Sequence, residues 1–216
     1  MTLFRLDASI RDEGSNSRAL ATTVEESWRQ IEPETEVIRR DVGLNPLAST
    51  DWANALGAWP TPEDSRTPEQ QGAVSTVTEL VDELAAADCY IFAVPLYNFG
   101  VSQHFKTYVD LVQTDPRMAN PETLVTRGKS GVLVTVQGGF YGPGTPKDGW
   151  DHSTAWMQRI LQDVWEIDIT VVSRAFTLVG VNPALDEFTD MATQFQSDAT
   201  GEANTAGRWL SPQPVA

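Results

Sequence analysis

The stretch Val94–Val112, VPLYNFGVSQHFKTYVDLV, decides the fold of this chain. It begins as the end of an apolar run, continues through a loop with two aromatic residues and an amide, and finishes in a helical pattern. The apolar residues of that pattern are Phe105, Tyr108, Val109 and Val112. Because they recur at the spacing of one helix face, they predict a helix that packs on a core. The loop therefore joins a buried strand to a helix, as in α/β proteins.

The rest of the chain repeats this alternation of strand and helix. Strands are predicted at residues 4–9, 35–42, 88–95, 129–139 and 168–180, and helices at 20–31, 74–84, 105–112, 151–165 and 186–199. Residues 43–68 show no clear period, and a connection of that length usually carries a function or short extra helices. Five strands that alternate with helices predict a single α/β domain over residues 1–216, with helices on both faces of a five-stranded parallel sheet.

The composition disfavours several classes of function. The chain has 216 residues, 41% of them apolar, and a formal net charge of −15. Nucleic acids and anionic membrane surfaces attract positive charge, so neither is an expected partner. The acidic surface either keeps the protein soluble or adapts it to high salt. One cysteine and two histidines are too few for a zinc or iron–sulfur site, so no metal is expected.

Cys89 lies within the predicted third strand, where a buried and unreactive thiol is expected. His104 and His152 both lie near predicted helix starts, and surface or packing roles are expected for them. No apolar run approaches the roughly 20 residues of a membrane span. The first residues lack the pattern of a secretory signal, so the expected location is the cytoplasm.

Small polar residues follow the first strand at Ser9, Ser15, Asn16 and Ser17. The last three directly precede a predicted helix, whose N-terminus offers free N–H groups and the positive end of its dipole to a phosphate. Ordinary N-capping explains one such residue, but it does not readily explain three in a row. The GxxxxGK[ST] and GxGxxG motifs are absent, which disfavours triphosphate hydrolysis and a Rossmann dinucleotide site. The turn therefore predicts a mononucleotide site.

The loop after the third strand reads Pro95-Leu96-Tyr97-Asn98-Phe99. Tyr97 and Phe99 lie at the strand end rather than in the helix, where core packing explains aromatic residues less well. A flat heteroaromatic ring can lie against them while backbone N–H groups and the Asn98 amide meet its polar edge. Pro95 fixes the exit from the strand.

The fourth strand ends in Gln137-Gly138-Gly139-Phe140-Tyr141. Paired glycines either form a simple flexible turn or let a ligand approach the backbone closely. In a sheet of order 2-1-3-4-5, the carboxyl ends of strands one, three and four are neighbours, and ligands bind there. A phosphate loop, an aromatic loop and a glycine loop at one edge together predict FMN as the ligand.

On these motifs the chain resembles the FMN-dependent NAD(P)H quinone reductases and azoreductases of flavodoxin-like fold. The segment PLYNFGVSQHFKTYVDLV is similar to that family's P-M-Y-N-F segment and following helix, and GSNSR is similar to its Ser-x-Ser phosphate loop. The resemblance implies a phosphate held by Ser9, Ser15, Asn16 and Ser17. It further implies that the flavin ring and ribityl chain contact Pro95, Leu96, Tyr97, Asn98, Phe99, Gly138 and Gly139. Gln137, next to the two glycines, is expected to bind the cofactor as a further hydrogen-bond donor.

The fourth-strand loop departs from the family pattern, which often reads Ser-Arg-Gly-Gly, then an apolar residue and a histidine. Val136, Gln137 and Tyr141 stand where that pattern has the hydroxyl, the arginine and the histidine. The departure bears on the tuning of the flavin and on the choice of acceptor more than on FMN binding itself.

The resemblance implies two-electron, ping-pong transfer from NAD(P)H to a quinone or an aromatic azo compound. Tyr97 and Tyr141 are the expected proton donors or orienting groups. A homodimer is implied, with Trp52 and Trp59 as candidate interface residues, although surface or core packing explains both equally well. Two alternatives stay open: a flavodoxin-type electron carrier without its own NAD(P)H turnover, and a phosphate-binding or regulatory domain without flavin.

Overall fold

A computed structural model of the protein describes residues 1–210. The strands are β1 (Leu3–Asp7), β2 (Val37–Asp41), β3 (Cys89–Tyr97), β4 (Gly100–Val101), β5 (Ser130–Val136) and β6 (Asp168–Arg174). The α-helices are α1 (Asn16–Arg29), α2 (Asp51–Ala58), α3 (Pro68–Ala86), α4 (Gln103–Val112), α5 (Pro116–Ala119), α6 (Thr154–Gln158) and α7 (Thr189–Trp209). A π-helical segment, Arg159–Val164, continues α6, and short 3₁₀ segments lie at Glu63–Ser65, Pro121–Thr123 and Pro183–Phe188.

Five of the strands form one parallel sheet in the order β2-β1-β3-β5-β6. The predicted order 2-1-3-4-5 is therefore confirmed, because these strands are the first five that the sequence pattern identified. The two-residue strand β4 was not predicted. It pairs antiparallel with the end of β3, through Leu96 with Val101 and Tyr97 with Gly100.

Helices cover both faces of the sheet, and the strands alternate their side chains between two cores. One core contains residues of α1 and α7, and the other contains residues of α3, α4 and the α6 region. Along β3, Cys89, Ile91 and Ala93 join the first core, and Tyr90, Phe92 and Val94 join the second. Because β3 is covered on both faces, it needs the almost unbroken apolar run that the sequence shows.

Several element boundaries differ from the predicted ones. The segment 43–68 contains α2 and a 3₁₀ turn, so it is one of the connections that carry short helices. The fifth parallel strand ends at Arg174, and residues 175–180 form a loop instead. The last helix runs from Thr189 to Trp209 rather than over 186–199. Its buried face consists mainly of small residues such as Ala203 and Ala206, which leave a weak periodic signal.

Cys89 is fully buried, and its burial raises the pKa of the thiol to about 12. The predicted burial is therefore confirmed, and the raised pKa disfavours the thiolate, which is the reactive form. Within residues 1–210, no helix combines the length and the apolar character needed to cross a bilayer. The same part of the chain holds no group of three or more His, Cys, Asp or Glu side chains placed to bind a metal ion.

Gly72 allows a test of how glycine conformation affects the stability of this fold. It lies inside α3, and a Cβ added there has no heavy atom within 4 Å. We expect Gly72→Ala to raise the free energy of unfolding by about 0.5–1 kcal/mol, because alanine loses less conformational freedom in a helix than glycine. Gly128 is the matched control, since it has equal space but a φ of +71° that alanine adopts poorly. Urea unfolding should give Gly128→Ala a lower free energy of unfolding than the native protein. If both variants are stabilised, or both destabilised, this reasoning is wrong.

Candidate functional site

The parallel register brings the carboxyl ends of the strands to one edge of the sheet. Asp7 at the end of β1 lies beside Asp41 of β2 and Ala93 of β3. Farther along, Pro95 of β3 pairs with Val136 of β5. The loops that follow these strands therefore meet at the edge where α/β sheets bind ligands.

The loops enclose a cavity of about 330 Å³, which we name the strand-end cavity. That volume lies within the usual range for small-molecule sites. Its lining consists of Ser9, Arg11, Gly14, Ser15, Asn16, Ser17, Pro95, Leu96, Tyr97, Asn98, Phe99, Val136, Gly138, Tyr141, Thr177 and Leu178. The structure thus brings together all but two of the residues that the sequence singled out for the cofactor and for proton transfer.

Gln137 and Gly139 are the two predicted residues that do not line this cavity. Gln137 Nε2 donates to Asp151 Oδ2 at 2.7 Å, and Asp151 Oδ1 accepts the backbone N–H of Thr154 in the first turn of α6. The Gly139 carbonyl accepts the N–H of Phe176 at 3.1 Å. Both residues hold the loop after β5 against neighbouring segments.

The segment Ser15–Ser17, which we name the serine loop, forms the N-terminal cap of α1. Ser15 is buried, and its Oγ accepts the N–H of Arg18 and lies 3.3 Å from Ser17 Oγ. Asn16 and Ser17 start the helix, so their backbone N–H groups have no intrahelical acceptor. Two hydroxyls, two free N–H groups and the positive end of a 14-residue helix point to an anion as the ligand.

Arg174 adds positive charge beside this loop. Its Nη1 donates to Asn16 Oδ1 at 2.7 Å, while its buried Nε has no hydrogen-bond partner in the described residues. Burial lowers the pKa of the Arg174 guanidinium, which nevertheless stays charged at neutral pH. The sequence analysis missed this residue, because it lies at the end of the strand farthest from the serine loop in the sequence.

Arg18 ties the serine loop to the rest of the sheet edge. Its guanidinium donates to the Ser9 carbonyl and the Arg11 carbonyl, each at 2.9 Å. It also makes a two-pronged ion pair with Asp41, at 2.7 and 2.9 Å. Asp7 lies 3.8 Å away, and Arg5 pairs with Asp7 in turn. The loop therefore rests on a largely buried network of charges that joins β1, α1 and β2.

Asp41 is charged at neutral pH in this network. Burial by itself raises the pKa of its carboxyl, but hydrogen bonds from Arg18 and from the Leu44 N–H outweigh burial and lower the pKa overall. The Gly43 N–H also donates to this carboxylate, at 3.1 Å. Gly43 in turn packs so tightly that an added Cβ lies 2.0 Å from the Ser9 carbonyl oxygen.

Tyr97 reaches towards the serine loop. Its Oη accepts the Ile10 N–H at 3.2 Å and lies 3.4 Å from Ser9 Oγ. Ser9 Oγ also accepts the Arg11 N–H at 3.2 Å. The Tyr97 hydroxyl thus lies against the loop after β1, next to Ser9 and Ile10.

Asn98 and Phe99 occupy the two central positions of the hairpin between β3 and β4. Their φ angles are +48° and +65°. Two left-handed residues are typical of a type I′ turn, which normally selects Asn and Gly. Asn tolerates this conformation, but for a bulky residue such as Phe it costs free energy. Strained backbone conformations of this kind are common at binding sites. Here the turn places the Phe99 ring at the wall of the strand-end cavity.

The long loop after β5 folds over Phe99. The Phe99 ring meets Tyr141 edge-on at 5.5 Å and Trp150 edge-on at 5.0 Å between centroids. Lys147 Nζ lies 5.2 Å from the Phe99 ring centroid. The His152 N–H donates to the Phe99 carbonyl at 3.0 Å, which fastens the end of this loop to the turn. Tyr141 and Phe99 thereby form an aromatic wall of the strand-end cavity.

Five lining residues were not predicted as site residues: Arg11, Gly14, Val136, Thr177 and Leu178. Leu178 enters because Gly138 has no side chain, and a Cβ there meets Leu178 Cδ1 at 2.7 Å. A signal was available, since β6 follows β5 in the sheet and its exit loop must lie beside the Gly-Gly pair. His104 and His152 do not line the cavity.

The geometry therefore suits one ligand with two unlike ends. The serine loop provides N–H and hydroxyl donors for an anion, and the turn after β3 provides an aromatic wall for a flat ring. Pro95, Leu96 and Val136 supply an apolar surface between them. A mononucleotide whose base is a large ring system, such as FMN, has this combination of parts.

Comparison with known proteins places this site in a family. Residues 1–197 match the model of a protein family described as having the flavodoxin-like fold. An "FMN-dependent NADH:quinone oxidoreductase" from Frankia alni is 39% identical over 95% of this chain and 97% of its own length. A second protein of that name, from Trichormus variabilis, is 33% identical over 79% of this chain and 84% of its own length.

Among solved structures, an FMN-dependent NADH-azoreductase from Bacillus anthracis, in complex with FMN, superposes with a TM-score of 0.76. The match covers 98% of this chain and all of that one, at 18% identity, and so concerns the fold. The family match and the relatives together settle the classification. The chain belongs to the flavodoxin-like family, in the group that contains the FMN-dependent NADH:quinone oxidoreductases.

Proposed function

We propose that this chain is an FMN-dependent NADH:quinone oxidoreductase that also reduces aromatic azo compounds, with residues 1–216 acting as one domain. The observation that carries the proposal is the strand-end cavity, which joins an anion site at the start of α1 to an aromatic wall at the end of β3. The names of the relatives support FMN, NADH and quinones, and the azoreductase neighbour supports azo compounds.

The serine loop holds the FMN phosphate. Ser15 and Ser17 donate their hydroxyls, Asn16 and Ser17 their backbone N–H groups, and Ser9 completes the cradle from β1. Arg174 lies behind Asn16 and adds a positive potential. This charge matters because the whole chain carries −15 and otherwise repels an anion.

Pro95, Leu96 and the turn at Asn98 and Phe99 hold the ring, with Gly138 beside them. When bound, FMN supplies the redox chemistry, taking two electrons from NADH and passing two to the acceptor. NADH and the acceptor occupy the same pocket one after the other, and this alternation gives ping-pong kinetics. Gln137 and Gly139 act indirectly, by fixing the loop after β5.

The two tyrosines have different roles in this proposal. Tyr97 anchors the phosphate end, because its hydroxyl lies against Ser9 and Ile10. Tyr141 lies on the aromatic wall next to Phe99, and orients the acceptor there or gives it a proton. Tyr141 is therefore the better candidate for contact with the reacting atoms.

The assembly and location complete the proposal. We infer a homodimer, as the family resemblance implies, and a cytoplasmic location. Trp52 supports an interface at α2, since 45% of it is exposed and Leu56 beside it is 51% exposed. Trp59 packs against the core instead, so it is a weaker interface candidate.

Two measurements on the purified protein test this function. The visible spectrum and the mass of the released ligand should identify FMN. NADH should then be oxidised in the presence of a small benzoquinone, with parallel double-reciprocal lines as ping-pong kinetics require. Bound FMN with negligible NADH turnover favours an electron carrier, and a colourless protein that fails to take up added FMN overturns the proposal.

The serine loop allows a sharper test of cofactor retention. We expect the double variant Ser15→Ala, Ser17→Ala to bind FMN at least tenfold more weakly, because two hydroxyl donors to a charged group are lost. The fold should survive, since Ala at the N-cap costs only about 1 kcal/mol. Titration of apoprotein with FMN by flavin fluorescence measures the loss. Thr23→Ala, at a half-buried position of α1 outside the strand-end cavity, is the control. Equal affinity in all three proteins removes the serines from the phosphate site.

A further inference from the structure

A second cavity, of about 530 Å³, adjoins the strand-end cavity, and we name it the side cavity. Tyr141 and Leu178 line both spaces, so these two side chains form the wall between them. The rest of the side cavity is built from residues 139–147 after β5 and from residues 176–191 after β6.

The walls of the side cavity are mainly aromatic and aliphatic: Phe140, Phe176, Leu185, Phe188 and Met191. Phe176 and Phe188 stack at 4.9 Å between centroids, and Phe140 packs against Phe176 at 6.0 Å. Met191 remains 45% exposed at the mouth. An apolar cavity of about 150 Å³ already holds a benzene-sized molecule, so this space has room for more than one ring.

The charges around the side cavity disfavour an anionic occupant. Among the described residues, Lys147 is the one cation that lines this cavity, and its Nζ lies over the rings of Phe99 and Trp150, at 5.2 and 5.5 Å. Asp186 and Asp190 lie exposed on the segment that forms the far wall. The diphosphate of a nicotinamide coenzyme or the sulfonate of an azo dye therefore meets acidic side chains at the far wall and one ammonium group that two aromatic rings already engage. A neutral hydrocarbon chain needs no charged partner.

We propose that the side cavity binds the hydrocarbon tail of a lipid-like quinone whose head group lies in the strand-end cavity. The shared wall makes this possible. A hydrocarbon chain attached to a ring beside Tyr141 reaches the side cavity by passing between the side chains of Tyr141 and Leu178. Flexible Leu and Met side chains at the far wall suit an aliphatic chain better than a rigid polar group. The inference rests on the proposed quinone reduction and names its substrate class.

The test compares one quinone with and without a tail. The probes are 2,3-dimethoxy-5-methyl-1,4-benzoquinone and the same ring carrying a decyl chain. Leu185→Glu and Met191→Glu place a charge in the side cavity, whereas Val181→Glu, at a site 66% exposed and outside the cavity, is the matched control. Calorimetric Kd values on the oxidised flavoprotein and kcat/KM with NADH are both measured.

We expect the decyl quinone to bind the native protein at least tenfold more tightly than the bare ring, because burial of each methylene adds to affinity. In both cavity variants this preference should fall about tenfold, with the bare ring and the control changing less than twofold. Equal losses for both quinones, altered KM for NADH, or a change in molar mass by light scattering place a coenzyme or a second copy in the cavity and overturn the inference. A protein that neither binds FMN nor oxidises NADH instead contradicts the proposed function. The ratio of the two calorimetric Kd values, for the quinone with and without its decyl chain, then still tests whether the side cavity binds a hydrocarbon tail.

Discussion

Replacing Arg18 by methionine is expected to lower the free energy of unfolding by about 3 kcal/mol, because it leaves the partly buried Asp41 carboxylate without its ion-pair partner. The side chain is only 15% exposed and makes a two-pronged ion pair with Asp41 at 2.7 and 2.9 Å. Methionine fills much of the same space but donates no hydrogen bond. The Ser9 carbonyl therefore also loses its 2.9 Å contact with the guanidinium.

The same substitution should weaken FMN binding more than tenfold, since Ser9 and Ser15 no longer have a fixed spacing. Urea unfolding and FMN titration measure the two effects. Arg159→Met is the control, because Arg159 is 72% exposed and pairs with Asp163 one helical turn away. Such a surface pair contributes about 0.5 kcal/mol or less. Similar stability losses in the two variants contradict the view that the Arg18 network supports the site.

Replacing Gly43 by alanine is expected to have the second large effect. The new Cβ lies 2.0 Å from the Ser9 carbonyl oxygen and 2.5 Å from its carbon, and both atoms belong to the backbone. Either the loop after β2 or the end of β1 must move. Overpacking of this kind typically costs about 1–3 kcal/mol, and we expect a value at the upper end because no flexible side chain can give way.

The same movement of the backbone should also weaken FMN binding. Ser9 is only 3% exposed and lines the strand-end cavity, so a shift there changes the phosphate cradle directly. We expect FMN affinity to fall at least tenfold while Gly72→Ala, which adds the same methyl group in open space, leaves it unchanged. Full retention of stability and FMN by the Gly43 variant indicates that the contact between the two loops is looser than described.

The sequence was sufficient to predict the sheet order, because each parallel strand is either strongly apolar or flanked by a helix of clear period. It also predicted the serine loop and the loop after β3, since both lie next to a strand end and carry residues that packing does not require. These signals are local, and each is complete within about ten residues of chain.

What the sequence did not reveal depends on contacts between distant segments. The sequence places Arg18 in the first turn of α1, where the helix dipole disfavours a cation. An acidic partner for Arg18 is therefore expected. Identifying Asp41 as that partner requires the register of β1 with β2. The turn at Phe99 violates the usual preference for Gly, so no turn rule predicts it.

The loop after β5 shows the same limit. Residues 140–152 have no hydrophobic period, and their position is set by single contacts, such as the Phe99 ring against Trp150. Leu178 reaches the strand-end cavity only because Gly138 lacks a side chain. Such steric relations join segments that are distant in the sequence, so no local motif identifies the residues involved.

The most direct test of the central claim is a crystal structure of the protein grown with excess FMN. We expect the phosphate within hydrogen-bond distance of Ser15 and Ser17 at the start of α1, and the ring against the turn at Asn98 and Phe99. An empty strand-end cavity under those conditions, or FMN bound at any other place on the protein, contradicts the assignment.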